Sequence, residues 1–112
     1  MVYKLTIDFD KRILITQEAR DRKSFVSNPK TKSVSLNAEQ IVELQKALNR
    51  AGVTGWNDKY NNLRGVCDGT FWDASYVLSD GTVRKIHGDN NWPSGIRRLS
   101  EDLKKMGIRF IQ

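Results

Sequence analysis

Cys67 and His87 are the residue types of a nucleophile and its general base, and the chain has one of each. The hairpin expected between residues 71 and 88 argues against such a pair. Its register sets His87 opposite Ser75, which is eight residues from Cys67, or roughly 25 Å along an extended strand. We therefore predict a strand-surface role for His87 and a small buried side chain at Cys67.

Four aspartates offer a second possibility, paired carboxylates for acid-base or metal chemistry. Asp68 and Asp80 precede glycines and Asp89 precedes two asparagines, positions where a short acidic side chain bonds the backbone of a turn. Only Asp73 lacks this interpretation, and the expected register brings it near Asp89 on the sheet face away from the helices. The spacing does not match a calcium loop, and the sequence contains no phosphate loop, dinucleotide fingerprint or Gly-x-Ser-x-Gly elbow. We predict a non-enzymatic chain without a metal site or a cofactor.

Positive charge is concentrated in one segment. The net charge is +6 with His neutral, and residues 11 to 32 hold seven basic residues against two acidic ones, a balance of +5. A local basic segment indicates an acidic protein partner or a nucleic acid. Phe25 is one aromatic residue for stacking a base, fewer than single-strand binders present. The predicted binding residues are Arg20, Arg22, Lys23, Phe25, Lys30 and Lys32.

Length and composition are those of a globular chain. The 112 residues, 38% hydrophobic and 29% charged, contain no Pro/Gly/Ser-rich linker, which predicts a single domain over residues 1–112 with about two thirds of its surface buried. No apolar run approaches the ~20 residues of a membrane span, and the first residues lack a signal-peptide pattern. We expect a cytoplasmic protein with no membrane partner. One cysteine excludes an intramolecular disulfide framework.

Hydrophobic periodicity predicts the elements that must carry these residues. Alternation over 3–9 indicates a strand, the apolar run 13–16 its hairpin partner and 33–36 a third strand, with a loop between the second and third. Asn37 with Gln40 forms a capping-box pattern, and helical spacing then continues until Gly52. Residues 53 to 64 have no sustained period, so we expect an irregular crossover.

A second hairpin is predicted from 71–78 and 83–88. A three-residue loop, 80–82, would set Tyr76 opposite Ile86 and gather Trp72, Tyr76, Leu78 and Ile86 on one face. Pro93 is expected in the first turn of a last helix that Gly107 ends, followed by an edge strand over 108–111. In that helix the spacing also predicts self-neutralising pairs Arg97–Glu101, Arg98–Asp102 and Glu101–Lys105.

The predicted order ββ(β)αββα favours an α+β fold, an antiparallel sheet of about five strands with two amphipathic helices on one face. A doubly wound parallel sheet would need strands and helices to alternate throughout, and they do not.

The order of several residues also resembles a group of small bacterial domains without a known activity. The shared pattern is a Trp and a Tyr, an Asp-Gly-Thr-x-Trp strand, an Asp-Gly turn and a Gly-x-Asn-x-x-Pro entry to a final helix, over about residues 37 to 107. Here it comprises Trp56, Tyr60, Cys67, Asp68, Gly69, Thr70, Trp72, Asp80, Gly81, Gly88, Asn90 and Pro93. The resemblance implies a compact α+β domain of bacteria or their mobile elements.

These observations lead to one functional hypothesis and one alternative. The hypothesis is a small binding module of bacterial or phage origin that binds a protein with an acidic surface, as an inhibitor or regulator. The alternative is a nucleic-acid-binding protein that uses the basic segment 11–32.

Overall fold

The computed structural model describes residues 1–62 and 69–111. Within these ranges six strands, three α-helices and one short 3-10 helix follow one another along the chain. In order they are β1 (Val2–Asp8), β2 (Ile13–Ala19), α1 (Arg22–Ser27), β3 (Lys30–Ser35), α2 (Ala38–Ala51), the 3-10 helix (Val53–Gly55), β4 (Lys59–Tyr60), β5 (Phe71–Val77), β6 (Val83–Asp89) and α3 (Ile96–Lys105).

The strands form one mixed sheet in the order β3-β2-β1-β5-β6-β4. The two predicted hairpins, β1–β2 and β5–β6, are antiparallel, but β5 lies parallel to β1 and β4 lies parallel to β6. The fold is therefore α+β as expected, whereas the purely antiparallel sheet of five strands is wrong. The parallel pair arises because α2 lies between the hairpins in sequence and carries the chain back to the end of the sheet where β1 began.

The β5–β6 register differs from the prediction by two residues. Ala74 lies opposite Ile86 and Tyr76 opposite Arg84, because Gly81, with a φ of 89°, donates to the carbonyl of Leu78 and closes the turn earlier. A shift of two keeps every side chain on its predicted face. Trp72 and Ile86 are accordingly buried, while Leu78 lies beyond the strand and is 38% exposed.

Local signals set the ends of α2. Asn37 and Gln40 form the reciprocal capping box, and Gly52 ends the helix in the left-handed region with a φ of 73°. The last helix begins later than expected, at Ile96 with Gly95 as its N-cap, so Pro93 precedes the helix. The segment Arg22–Ser27, expected as a loop with strand-like Phe25, forms the short helix α1.

The helices α2 and α3 pack on each other and cover one face of the sheet, where the core lies. Residues 108–111 are not the predicted edge strand. Instead Ile108 and Phe110 are buried, and the Phe110 ring packs edge-on against Tyr3 and Trp72. The C-terminal segment therefore lies over the helix-covered face, because its apolar side chains are stabilised more by burial there than by strand pairing at an edge.

Candidate functional site

The outer edge of β3 is open. This strand ends the sheet on one side, and all its residues are exposed except Val34, which is half-buried. The N–H of Leu36 donates to the carbonyl of Arg12 over 2.9 Å, so Val34, Lys32 and Lys30 direct their backbone groups toward β2. The alternating residues Thr31, Ser33 and Ser35 direct theirs away from the sheet.

The chain end brings two further cations to this edge. Lys30 and Lys32 lie opposite Glu18 and Thr16, on the helix-covered face. The Nζ of Lys32 donates to the carbonyl of Gly107 over 3.2 Å, across 75 residues of sequence. Lys104 lies at the same turn, since its carbonyl accepts from the N–H of Gly107 at 3.0 Å.

Arg109 completes the cluster through Glu18. Its Nε lies 3.6 Å from Oε2 of Glu18, whose side chain is 18% exposed. At this distance the two side chains form an ion pair but not a hydrogen bond. Oε2 of Glu18 is buried and has no hydrogen-bond partner among the described residues. Glu18 thus offsets one charge of the four. We call the four cations, Lys30, Lys32, Lys104 and Arg109, the basic edge.

A shallow groove of about 390 Å³ adjoins the basic edge, lined by Lys104, Gly107, Ile108 and Arg109. Apolar Ile108 forms part of its floor. The site therefore combines a net positive charge, a partly apolar groove and a strand edge that pairs with no other strand among residues 1–62 and 69–111.

The remaining predicted binding residues lie elsewhere. Asp21 caps α1 by accepting from the N–H of Ser24 at 2.7 Å, and that hydrogen bond lowers the pKa of the Asp21 carboxyl. The guanidinium of Arg22 lies 3.8 Å from the centre of the Phe71 ring, which alternation with Trp72 places on the face away from α2 and α3. Phe25 is half-buried. The structure thus places Arg22 on the opposite face of the sheet from Lys30 and Lys32. Lys23 and Phe25 lie in the same short helix as Arg22, and Arg20 lies just before it.

Sequence reasoning missed Lys104 and Arg109. Of the predicted pairs on α3, Arg97–Glu101 is present at 3.4 Å, but Asp102 pairs with Arg50 of α2 at 3.1 Å. Asp102 therefore pairs across to α2 rather than with Arg98, its predicted partner. The sequence signal that could have indicated Lys104 is the pair Lys104 and Lys105 shortly before Gly107, since cations are favoured in the last turn of a helix.

His87 and Asp73 form a contact that the predicted register excluded. They are partners on β6 and β5, not His87 with Ser75 or Asp73 with Asp89, and Nδ1 of His87 lies 2.9 Å from Oδ1 of Asp73. Both side chains are nearly half exposed, 43% and 46%. The pair lies on the open face of the sheet, where water reaches both side chains.

Two further predictions, the roles of Cys67 and Asp68 and the absence of a metal site, can be compared with the structure only in part. Cys67 and Asp68 lie outside the described residues, so their predicted roles stay predictions. Within 1–62 and 69–111, no group of three or more His, Cys, Asp or Glu side chains is arranged to hold a metal ion.

Comparisons of the chain with protein-family models, with curated proteins and with solved structures find no match. The resemblance to small bacterial domains therefore stays a prediction. No helix among the described residues is both long enough and apolar enough to cross a membrane.

Proposed function

We propose that the chain is a binding module that pairs the open edge of β3 with an acidic, extended segment of another protein. The observation that carries this proposal is the contact of Lys32 with Gly107, in the turn that follows Lys104, beside a strand edge that no described strand covers. Strand addition uses backbone hydrogen bonds for affinity and alternate side chains for specificity.

The geometry of the edge defines the partner's pattern. A segment paired with Thr31, Ser33 and Ser35 places every second side chain on the face that carries Lys30 and Lys32. Acidic residues at those positions meet the basic edge, and the alternate positions meet a surface of hydroxyl groups. An alternation of acidic and small polar residues therefore fits this edge.

The same cations oppose self-association. Two copies joined through their β3 strands would bring Lys30 and Lys32 of one copy against those of the other. Lysines on edge strands prevent such pairing. The edge is therefore selective for an acidic partner rather than for a second copy.

The test uses the complete, 15N-labelled chain and a capped peptide of alternating Glu and Thr, titrated by NMR. We expect saturable shifts of the Thr31, Ser33 and Ser35 amides. The variant Lys30→Glu with Lys104→Glu should bind about tenfold more weakly. Lys32 and Arg109 are left unchanged because they contact Gly107 and Glu18. The double variant should stay folded with a lower melting temperature, because Lys30→Glu sets two carboxylates opposite each other at Glu18.

Three controls make the result specific. Arg20→Glu with Lys23→Glu changes the net charge equally, at α1 and just before it, and should retain the affinity. A peptide of alternating Lys and Thr, and a Glu-Thr peptide whose Thr nitrogens are methylated, should not bind, the latter because it cannot donate to the strand. Binding that survives the methylation, or the Lys30 and Lys104 changes, would contradict the proposal.

Oligothymidylate provides the nucleic-acid comparison. If it binds with an affinity that falls steeply with salt, and the Glu-Thr peptide does not bind, the nucleic-acid alternative replaces the protein-binding function.

A further inference from the structure

We propose that a cleft at the carboxyl ends of β1 and β5 binds an uncharged, planar small molecule that carries an amide or hydroxyl group. The cleft has a volume of about 300 Å³, the lower end of the range for ligand sites. This inference is independent of the basic edge, since none of those cations lines the cleft. The lining residues are Phe9, Gln45, Leu48, Asn49, Val53, Thr54, Tyr76 and Leu78.

Fixed backbone forms one wall of the cleft. The N–H of Phe9 donates to the carbonyl of Val77 over 2.8 Å, which holds the ends of the two central strands together. The N–H of Leu78 donates to the carbonyl of Thr82 over 2.8 Å and holds the adjoining turn. These bonds set Phe9 and Leu78 in place before any ligand arrives.

Arg84 holds the opposite wall. Its guanidinium donates to the carbonyl of Val53 over 2.6 Å and to the carbonyl of Trp56, at the two ends of the 3-10 helix segment. Thr54, which lies between these two residues in the chain, is thereby held in the lining of the cleft. A preformed cleft loses little conformational entropy when a ligand binds.

The polar groups of the cleft are uncommitted. Gln45 and Asn49 lie one helical turn apart on α2, and within residues 1–62 and 69–111 their carboxamides make no hydrogen bond. The same holds for the hydroxyls of Thr54 and Tyr76. These donors and acceptors, next to apolar Phe9, Leu48, Val53 and Leu78, give the composition typical of a small-molecule site.

The lining also selects against charge. None of its residues is Asp, Glu, Lys, Arg or His, although 29% of the chain is Asp, Glu, Lys or Arg. A charged ligand would lose hydration in the cleft and meet no opposite charge on its lining, since the guanidinium of Arg84 is committed to the carbonyls of Val53 and Trp56 and to Asp58. An uncharged ring can pack against Phe9 and Leu78 while its amide bonds the carboxamides of α2.

Benzamide and benzoate test this selectivity, because they have nearly the same shape and differ in charge. In 15N NMR titrations of the complete chain we expect benzamide to shift the Gln45, Asn49 and Leu78 signals saturably, with a dissociation constant in the millimolar range. Benzoate should bind about tenfold more weakly or not at all.

Leu78→Lys should abolish benzamide binding, because a charged side chain then occupies the lining of the cleft. The melting temperature should stay nearly unchanged, since Leu78 is 38% exposed. Val83→Lys makes the same kind of change on the same hairpin, at a residue that is 54% exposed and does not line the cleft, and should retain binding.

Equal binding of benzamide and benzoate, or unchanged binding by Leu78→Lys, overturns the proposal. So does a cleft that takes up acetyl-phenylalanine amide and not benzamide, because it then anchors a peptide side chain rather than a small molecule.

Discussion

The indole of Trp72 occupies the space that a side chain on Gly88, its register partner on β6, would need. Trp72 is fully buried, and its Nε1 donates to the carbonyl of Asn91 over 2.9 Å. Because a Cβ at residue 88 would collide with this fixed ring, we expect Gly88→Ala to lower the free energy of unfolding by about 1–3 kcal/mol. Urea denaturation measures the loss.

Gly55 provides the matched control for this change. A Cβ at Gly55 meets no atom within 4 Å, so Gly55→Ala should change the stability by less than about 1 kcal/mol. Equal losses in the two variants would show that the indole does not exclude a side chain at residue 88.

Arg84 is expected to stabilise the 3-10 helix segment. Its side chain is 21% exposed and bonds the carbonyls of Val53 and Trp56. Arg84→Met leaves both acceptors without that donor and should cost about 2 kcal/mol, measured by thermal or urea unfolding. Arg97→Met is the control, since Arg97 is 92% exposed and its pair with Glu101 contributes little. A loss at Arg84 no greater than at Arg97 would refute this role.

Ser100 holds the C-terminal segment against α3. Its buried hydroxyl lies 2.7 Å from the carbonyl of Phe110 and 3.3 Å from that of Ile111. Ser100→Ala should cost about 1–3 kcal/mol and speed amide hydrogen exchange at Phe110, because the segment then opens more often. Ser33→Ala, at an exposed strand position, should do neither. Unchanged exchange at Phe110 in Ser100→Ala would contradict the assignment.

Asp21 makes α1 sensitive to acid. Hydrogen bonding to Ser24 lowers the pKa of the Asp21 carboxyl below its ordinary value. The stabilisation is therefore fully present above the pKa of the unfolded chain and is lost as the pH falls through the lower pKa of the folded chain. NMR should show the Ser24 amide signal moving with this titration. Asp21→Asn should remove the movement, because a carboxamide caps without ionising; a titration that persists would identify another group as its source.

Local chemistry made several elements predictable from sequence. Asn37, Gln40 and Gly52 set the ends of α2 because their effects act within one helical turn. The alternation in β1 and β5 fixed which side chains face the helices, and this survived an error of two residues in the register because two is the period of a strand. Asp80 and Gly81 indicated a turn, although the turn closes at Leu78.

Two of the four cations of the basic edge were predictable from the sequence. Lys30 and Lys32 are visible as part of a basic segment, but that segment is divided in space, since Arg22 lies over Phe71 while Lys32 reaches Gly107. Lys104 and Arg109 could not be assigned to the same surface. Only the contacts of Lys32 with Gly107 and of Arg109 with Glu18 show that these distant parts of the chain meet.

The sequence by itself determined the two hairpins, the helices α2 and α3, the side of β1 and β5 that is buried and the ends of α2, because these depend on residues within a few positions of one another. It did not predict α1 or β4. Tertiary structure decided which strands pair, where residues 108–111 lie and which cations meet at β3. Those outcomes depend on contacts between residues as far apart as Lys32 and Gly107. Such contacts are selected by packing of the whole core, which no local pattern specifies.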